Sequence, residues 1–137
     1  MNKKHLIESY FKARATSDLQ ALQTIFTDDI AIYNVHFPVF QGREGVKSYC
    51  TYFQQRISSC TFDILEILEK EAVAMVEWTA KLTYRTGAIV AGLAVARPFT
   101  LELRGINRFD FTNDKISCLR VYHETSSVLN LVKEHAK

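Results

Sequence analysis

The stretch from Pro98 to Thr125, PFTLELRGINRFDFTNDKISCLRVYHET, constrains the fold more than any other. Phe99, Leu101, Leu103, Gly105, Asn107 and Phe109 fall on one side of an alternating pattern. Thr100, Glu102, Arg104, Arg108 and Asp110 fall on the other. Period-two alternation of this length predicts a strand with one buried face. Thr112-Asn113-Asp114-Lys115 supplies residues that tolerate tight backbone geometry, so a turn is expected there. A second strand then places Leu119, Val121 and His123 on one face. The apolar face of this hairpin needs cover. Asn107 and His123 interrupt it with polar atoms, and such interruptions are places where a site can form.

The rest of the chain offers the cover. Leu6, Ile7, Tyr10, Phe11 and Arg14 recur at helical spacing within residues 5–15. Ser17 or Asp18 then caps a second short helix with Leu19, Leu22, Ile25 and Phe26 as its stripe. Thr27-Asp28-Asp29 is expected to end the helical pair. Residues 30–37 alternate as a strand, with Ile30, Ile32, Asn34 and His36 sharing a face. Gly42 to Gly45 opens a third helix, predicted to run to about Ser58, with Val46, Tyr49, Cys50, Phe53 and Ile57 as its stripe. Residues 61–68 and 73–85 read as two more strands, with Val76, Trp78, Ala80, Leu82 and Tyr84 on one face of the second. The connector 86–97, TGAIVAGLAVAR, is almost wholly apolar. Exposed, it would be a sticky patch, so it is expected to cover a pocket mouth or meet a partner. A short tail from Ser126 carries Val128, Leu129, Leu131 and Val132 for docking. Helices early and strands late predict an α+β domain with helices on one face of a largely antiparallel sheet. One domain spanning 1–137 fits the length, and a chain of this size buries roughly 68% of its unfolded surface.

Net charge is +2 and the basic residues are scattered. That balance predicts no nucleic-acid and no membrane partner. The N-terminal MNKKHLIESY lacks the apolar stretch of a signal peptide. Cys50, Cys60 and Cys118 have no metal-like spacing, and an odd count without an export signal suggests reduced thiols in a cytoplasmic protein. No metal and no cofactor are implied, since there is no Gly-rich phosphate loop and the histidines lack a third ligand at clear spacing.

Taken in order, Tyr10, Ser17-Asp18-Leu19, Ile25 to Asp29, Phe40 to Gly45, Arg108 to Phe111, Asp114-Lys115-Ile116 and Arg120 to Glu124 resemble the NTF2-like superfamily, in particular its SnoaL-like branch. The resemblance implies a cone-shaped domain: three N-terminal helices on a strongly curved, mostly antiparallel sheet that encloses an apolar cavity. It also implies a homodimer formed through the sheet. Ketosteroid isomerase belongs to this superfamily and uses a tyrosine and a protonated aspartic acid as an oxyanion hole, with a further aspartate as base. Alignment by spacing places the tyrosine at Tyr10, the base at Asn34 and the protonated acid at Asn107. The two donors are kept, but an amide cannot take a proton near neutral pH. Limonene epoxide hydrolase fits no better, because its final-strand aspartate falls near Val121.

The site expected from these readings has Tyr10, His36 and His123 as catalytic candidates. Either imidazole could move the proton that the missing aspartate would have moved. Asn34, Asn107, Trp78, Tyr84, Leu103, Phe109, Leu119 and Val121 are the expected ligand-binding residues. The expected ligand is small and mostly apolar, with one or two oxygens. The chemistry would be isomerisation, cyclisation or dehydration beside a carbonyl. The rival readings are a non-catalytic module that dimerises or binds a protein, and passive carriage of an apolar ligand.

Overall fold

The computed structural model describes residues 2–35 and 37–136. Helix α1 (Lys3–Thr16) starts where the Asn2 side chain accepts from the His5 N–H at 3.0 Å. It ends at Ser17, whose left-handed backbone lets its N–H close back on Ala13 and Arg14. Asp18 is the cap of α2 (Leu19–Ile25), accepting from the Ala21 N–H at 3.1 Å. The buried face of α1 is Ile7, Tyr10, Phe11, Ala13 and Arg14.

Strand β1 (Phe26–Asn34) begins directly at the end of α2. Phe26 is a strand residue, and Thr27-Asp28-Asp29 continues the strand where a helix terminus is expected from sequence. A register shift between Phe26 and Ala31 in the pairing with β8 (Lys115–His123) absorbs the odd spacing. Next, β2 (Phe40–Gln41) pairs antiparallel with β1. Helix α3 (Gly42–Arg56) hands over directly to β3 (Ile57–Lys70), so the predicted helix is two residues too long. Strands β4 (Val73–Tyr84) and β7 (Phe99–Thr112) are the long central pair.

The main sheet has the order β2-β1-β8-β7-β4-β3 and is open at both edges. The β1–β8 pairing is parallel and the rest are antiparallel. Strands β4 and β7 pair from Val73–Asp110 to Tyr84–Phe99 without a shift. Burial alternates along both, as their sequences predict. The inner face meets α1 in an aromatic cluster: Tyr10 is edge-on to Phe109 at 5.3 Å and to Phe11 at 5.0 Å.

The connector folds as a small hairpin of β5 (Ile89–Val90) and β6 (Leu93–Ala94). Its two turn residues, Ala91 and Gly92, both have positive φ (50° and 80°), the geometry that suits the twist of a two-residue hairpin. The tail is helix α4 (Ser126–His135). The backbone N–H groups of Ala96 and Arg97 donate to the His135 carbonyl at 2.7 and 3.1 Å, and the Arg97 guanidinium donates to the Glu134 carbonyl at 2.6 Å. The connector thus caps the C-terminal end of α4, where a cation is favoured. No helix among the described residues is long and apolar enough to cross a membrane.

Candidate functional site

A cavity of about 550 Å³ lies between the inner face of the sheet and the helices. That is within the usual size of small-molecule sites, roughly 300–1,000 Å³. α1 contributes Tyr10, Phe11 and Arg14, and α3 contributes Tyr49, Tyr52, Phe53 and Arg56. The sheet contributes Asn34, Trp78, Tyr84, Leu103, Asn107, Val121 and His123. Val90 and Ala91 of the connector and Thr125, Val128 and Leu129 at the start of α4 also line it. Trp78 and Tyr84 line the space without filling it: Trp78 packs on Phe62 at 5.6 Å, and Tyr84 stacks on Phe99 at 4.9 Å.

Cross-strand register gathers the polar groups of the wall. Asn34 lies opposite Val121, and Val121 opposite Asn107. One step along the inner face, His123 lies opposite Gly105 and Gly105 opposite Trp78. Asn107 is therefore the diagonal neighbour of both Trp78 and His123. The Trp78 indole Nε1 donates to Asn107 Oδ1 at 2.9 Å. An indole N–H can only donate, so this bond fixes the orientation of the amide and leaves Nδ2 as its remaining donor end. Gly105 makes the contact possible. A Cβ there would overlap Trp78 Cζ2 and come within 2.6 Å of the Tyr122 carbonyl oxygen.

The Tyr10 and Tyr49 hydroxyls share one hydrogen bond at 2.9 Å. One of the two O–H groups is consumed by it, and the other is left to donate. Burial, reinforced by Tyr49, holds the Tyr10 hydroxyl well above its ordinary value, so it is a donor and not a base. Asn34 Oδ1 is buried with no hydrogen-bond partner. Among the described residues the cavity lining contains no Asp, Glu or Lys, and His123 is its one imidazole. The His123 Nδ1 lies 3.2 Å from the Glu124 carbonyl oxygen.

Leu103 and Val121 are in the wall. Phe109 and Leu119 are not: both are fully buried behind the cavity, packed in the core between sheet and helices. Their inward side chains were readable from alternation, but the depth at which α1 covers them was not. His36 lies outside the described residues. The thiols are buried or half-buried, and burial pushes all three up, Cys60 to about 11. No cluster of three or more His, Cys, Asp or Glu able to hold a metal ion occurs among the described residues.

Arg14 is the site residue that sequence reasoning passed over. It is 8% exposed and lines the cavity. Its guanidinium stacks on Tyr49 at 3.7 Å and Phe53 at 4.0 Å, and Nη1 donates to the Tyr49 carbonyl at a long 3.4 Å. Among the described residues no carboxylate pairs with it. The effective cost of burying an ion is several kcal/mol. A desolvated cation–π contact returns roughly 2 kcal/mol, so the two rings offset much of that cost but supply no opposite charge. The signal was present in the sequence: an arginine at a position of the apolar stripe of α1.

The chain belongs to the SnoaL-like domain family, whose model matches residues 7–119. Solved structures agree on the NTF2-like fold. A protein from Shewanella denitrificans described as a SnoaL-like polyketide cyclase is 12% identical, with a TM-score of 0.82 and 96% of each chain covered. One from Xanthomonas campestris pv. campestris described as a polyketide cyclase is 20% identical, with a TM-score of 0.78, covering 94% of this chain and 95% of that one. An LEH-like epoxide hydrolase from M. tuberculosis is 18% identical, with a TM-score of 0.69, covering 96% and 89%. No curated relative matches the chain.

Replacing Gly105 by Ala is expected to dislodge the indole and break its bond to Asn107. The loss should be about 1–3 kcal/mol in urea denaturation, with faster exchange of the indole N–H. Unchanged stability and exchange would show that the sheet yields at this point.

A second expectation concerns alkaline pH. Tyr10, Tyr84 and the three thiols are all raised in the folded chain, chiefly by burial. The unfolded chain therefore releases these protons first. Their contribution is complete below about pH 9 and drains away as pH climbs through the folded values. Urea midpoints should fall steadily above that pH, and Cys60→Ala should flatten part of the fall.

Proposed function

We propose that this chain binds a mostly apolar small molecule with one or two oxygens in the cavity, and acts on it beside a carbonyl. The observation that carries this reading is the convergence of Asn107, Asn34 and His123 on one aromatic-lined wall. There Asn107 is oriented by Trp78 and Asn34 Oδ1 has no protein partner. Asn107 Nδ2 and the spare O–H of the Tyr10–Tyr49 pair donate to the ligand oxygen, and strengthen as charge develops on it. Tyr10 does not take the proton, because its hydroxyl is held neutral. His123 moves it, in an isomerisation, cyclisation or dehydration. The polyketide cyclase descriptions of the structural neighbours favour chemistry of this kind. No step uses a cofactor.

A crystal structure of the protein as purified, together with native mass spectrometry, tests the binding. Density and extra mass for an organic molecule beside Asn107 are expected, and a water-filled cavity in both experiments counts against it. Once that molecule is in hand, His123→Gln should lower its turnover by about 10²–10⁴. An unaltered rate removes His123 from the chemistry.

The outer face of the sheet favours a homodimer. Ile106 and Tyr122 sit side by side there, 41% and 52% exposed, close to the outward Leu65 at a bulge of β3. A stable dimer needs roughly 800 Å² from each partner. Sedimentation should give twice the chain mass, and Ile106→Lys should return the monomer.

A further inference from the structure

We infer that the ligand is an anion, an apolar molecule bearing a carboxylate, and that Arg14 is its anchor. The inference rests on the cavity being a ligand site and goes further by naming the ligand's charge. Two guanidinium groups line the cavity and no described carboxylate does. Arg56 is half-buried: it lies over Tyr52 at 3.7 Å and donates to the Tyr52 carbonyl at 3.0 Å. Arg14 is different. It is buried, and among the described residues it has no carboxylate partner and one hydrogen bond, which is long.

Its surroundings also hold it in place. The Tyr49 and Phe53 rings lie against the guanidinium carbon at 3.7 and 4.0 Å. A guanidinium is a rigid fork of donors, and a carboxylate matches it with two parallel hydrogen bonds. The Tyr10 side chain lies one turn from Arg14 on α1, and the O–H left over from its bond to Tyr49 remains for the ligand oxygen that Asn107 also meets. The apolar body of the molecule then extends along the aromatic wall towards Trp78. Asn107, His123 and Asn34 meet its other end.

Displacement of the neutral fluorophore N-phenylnaphthylamine tests this. Naphthaleneacetic acid and naphthaleneethanol share a ring system and differ in the carboxylate. The wild-type chain is expected to bind the acid at least about tenfold more tightly than the alcohol, the factor equivalent to one good charge-assisted bond. Arg14→Gln should abolish that preference while still binding the fluorophore, and Arg14→Lys should restore part of it. If the acid and the alcohol compete equally in the wild type, the inference is wrong and the cavity reading survives. It is also wrong if Arg14→Gln keeps the preference. If the wild type binds none of the three molecules, the cavity reading itself fails. Should Arg14→Gln not fold, equal competition or preference in Arg14→Lys at high and low salt decides the matter: a preference that salt does not erase supports a buried charge contact, and equal competition opposes it.

Discussion

The unbroken pairing of β4 with β7 is the constraint on which the rest of the structure depends. Along its whole length each residue has one partner, so every second side chain points to the helices. A slip of β4 by one residue would turn Trp78 and Ala80 outward and bring Thr79 and Lys81 into the core. That cost locks the register. The register in turn places Asn107 diagonal to Trp78 and puts the side-chain-free Gly105 beneath the indole. The polar chemistry of the wall is therefore a consequence of strand pairing.

The long alternating strands were legible in the sequence for the same reason. Burial on β4 and β7 follows the pattern residue by residue. Strands of two residues carry no such pattern. β2 exists because Phe40 and Gln41 meet β1, and β5–β6 because Ala91 and Gly92 accept a tight turn. The first cause is a tertiary contact, and the second is a turn geometry that glycine favours but alanine does not signal. Phe26 was misplaced because its burial suits a helix stripe as well as a strand, and only pairing with Ile116 decides.

The candidate site was legible by half. Its sheet side follows from alternation, which brought Asn34, Asn107, Val121 and His123 to one face. Its helix side depends on how α1 lies across α3, a tertiary fact with no period in the sequence. Tyr49 is an apolar-stripe residue by spacing, yet its hydroxyl meets Tyr10 and its ring carries Arg14. Arg14 sits in the stripe by spacing, and spacing says nothing of its charge. Phe109 and Leu119 are inward residues that pack in the core and not on the cavity wall. The connector's role also depends on a distant element, since α4 receives its backbone donors and the two border the cavity together.

Trp78 is the one tryptophan of the chain, and its indole forms part of the cavity wall with its N–H held by Asn107. Its ultraviolet emission therefore comes from a single, buried place. A molecule entering the cavity would change the polarity around that ring directly. The chain thus carries an intrinsic optical gauge of cavity occupancy, with which compounds can be ranked without any label.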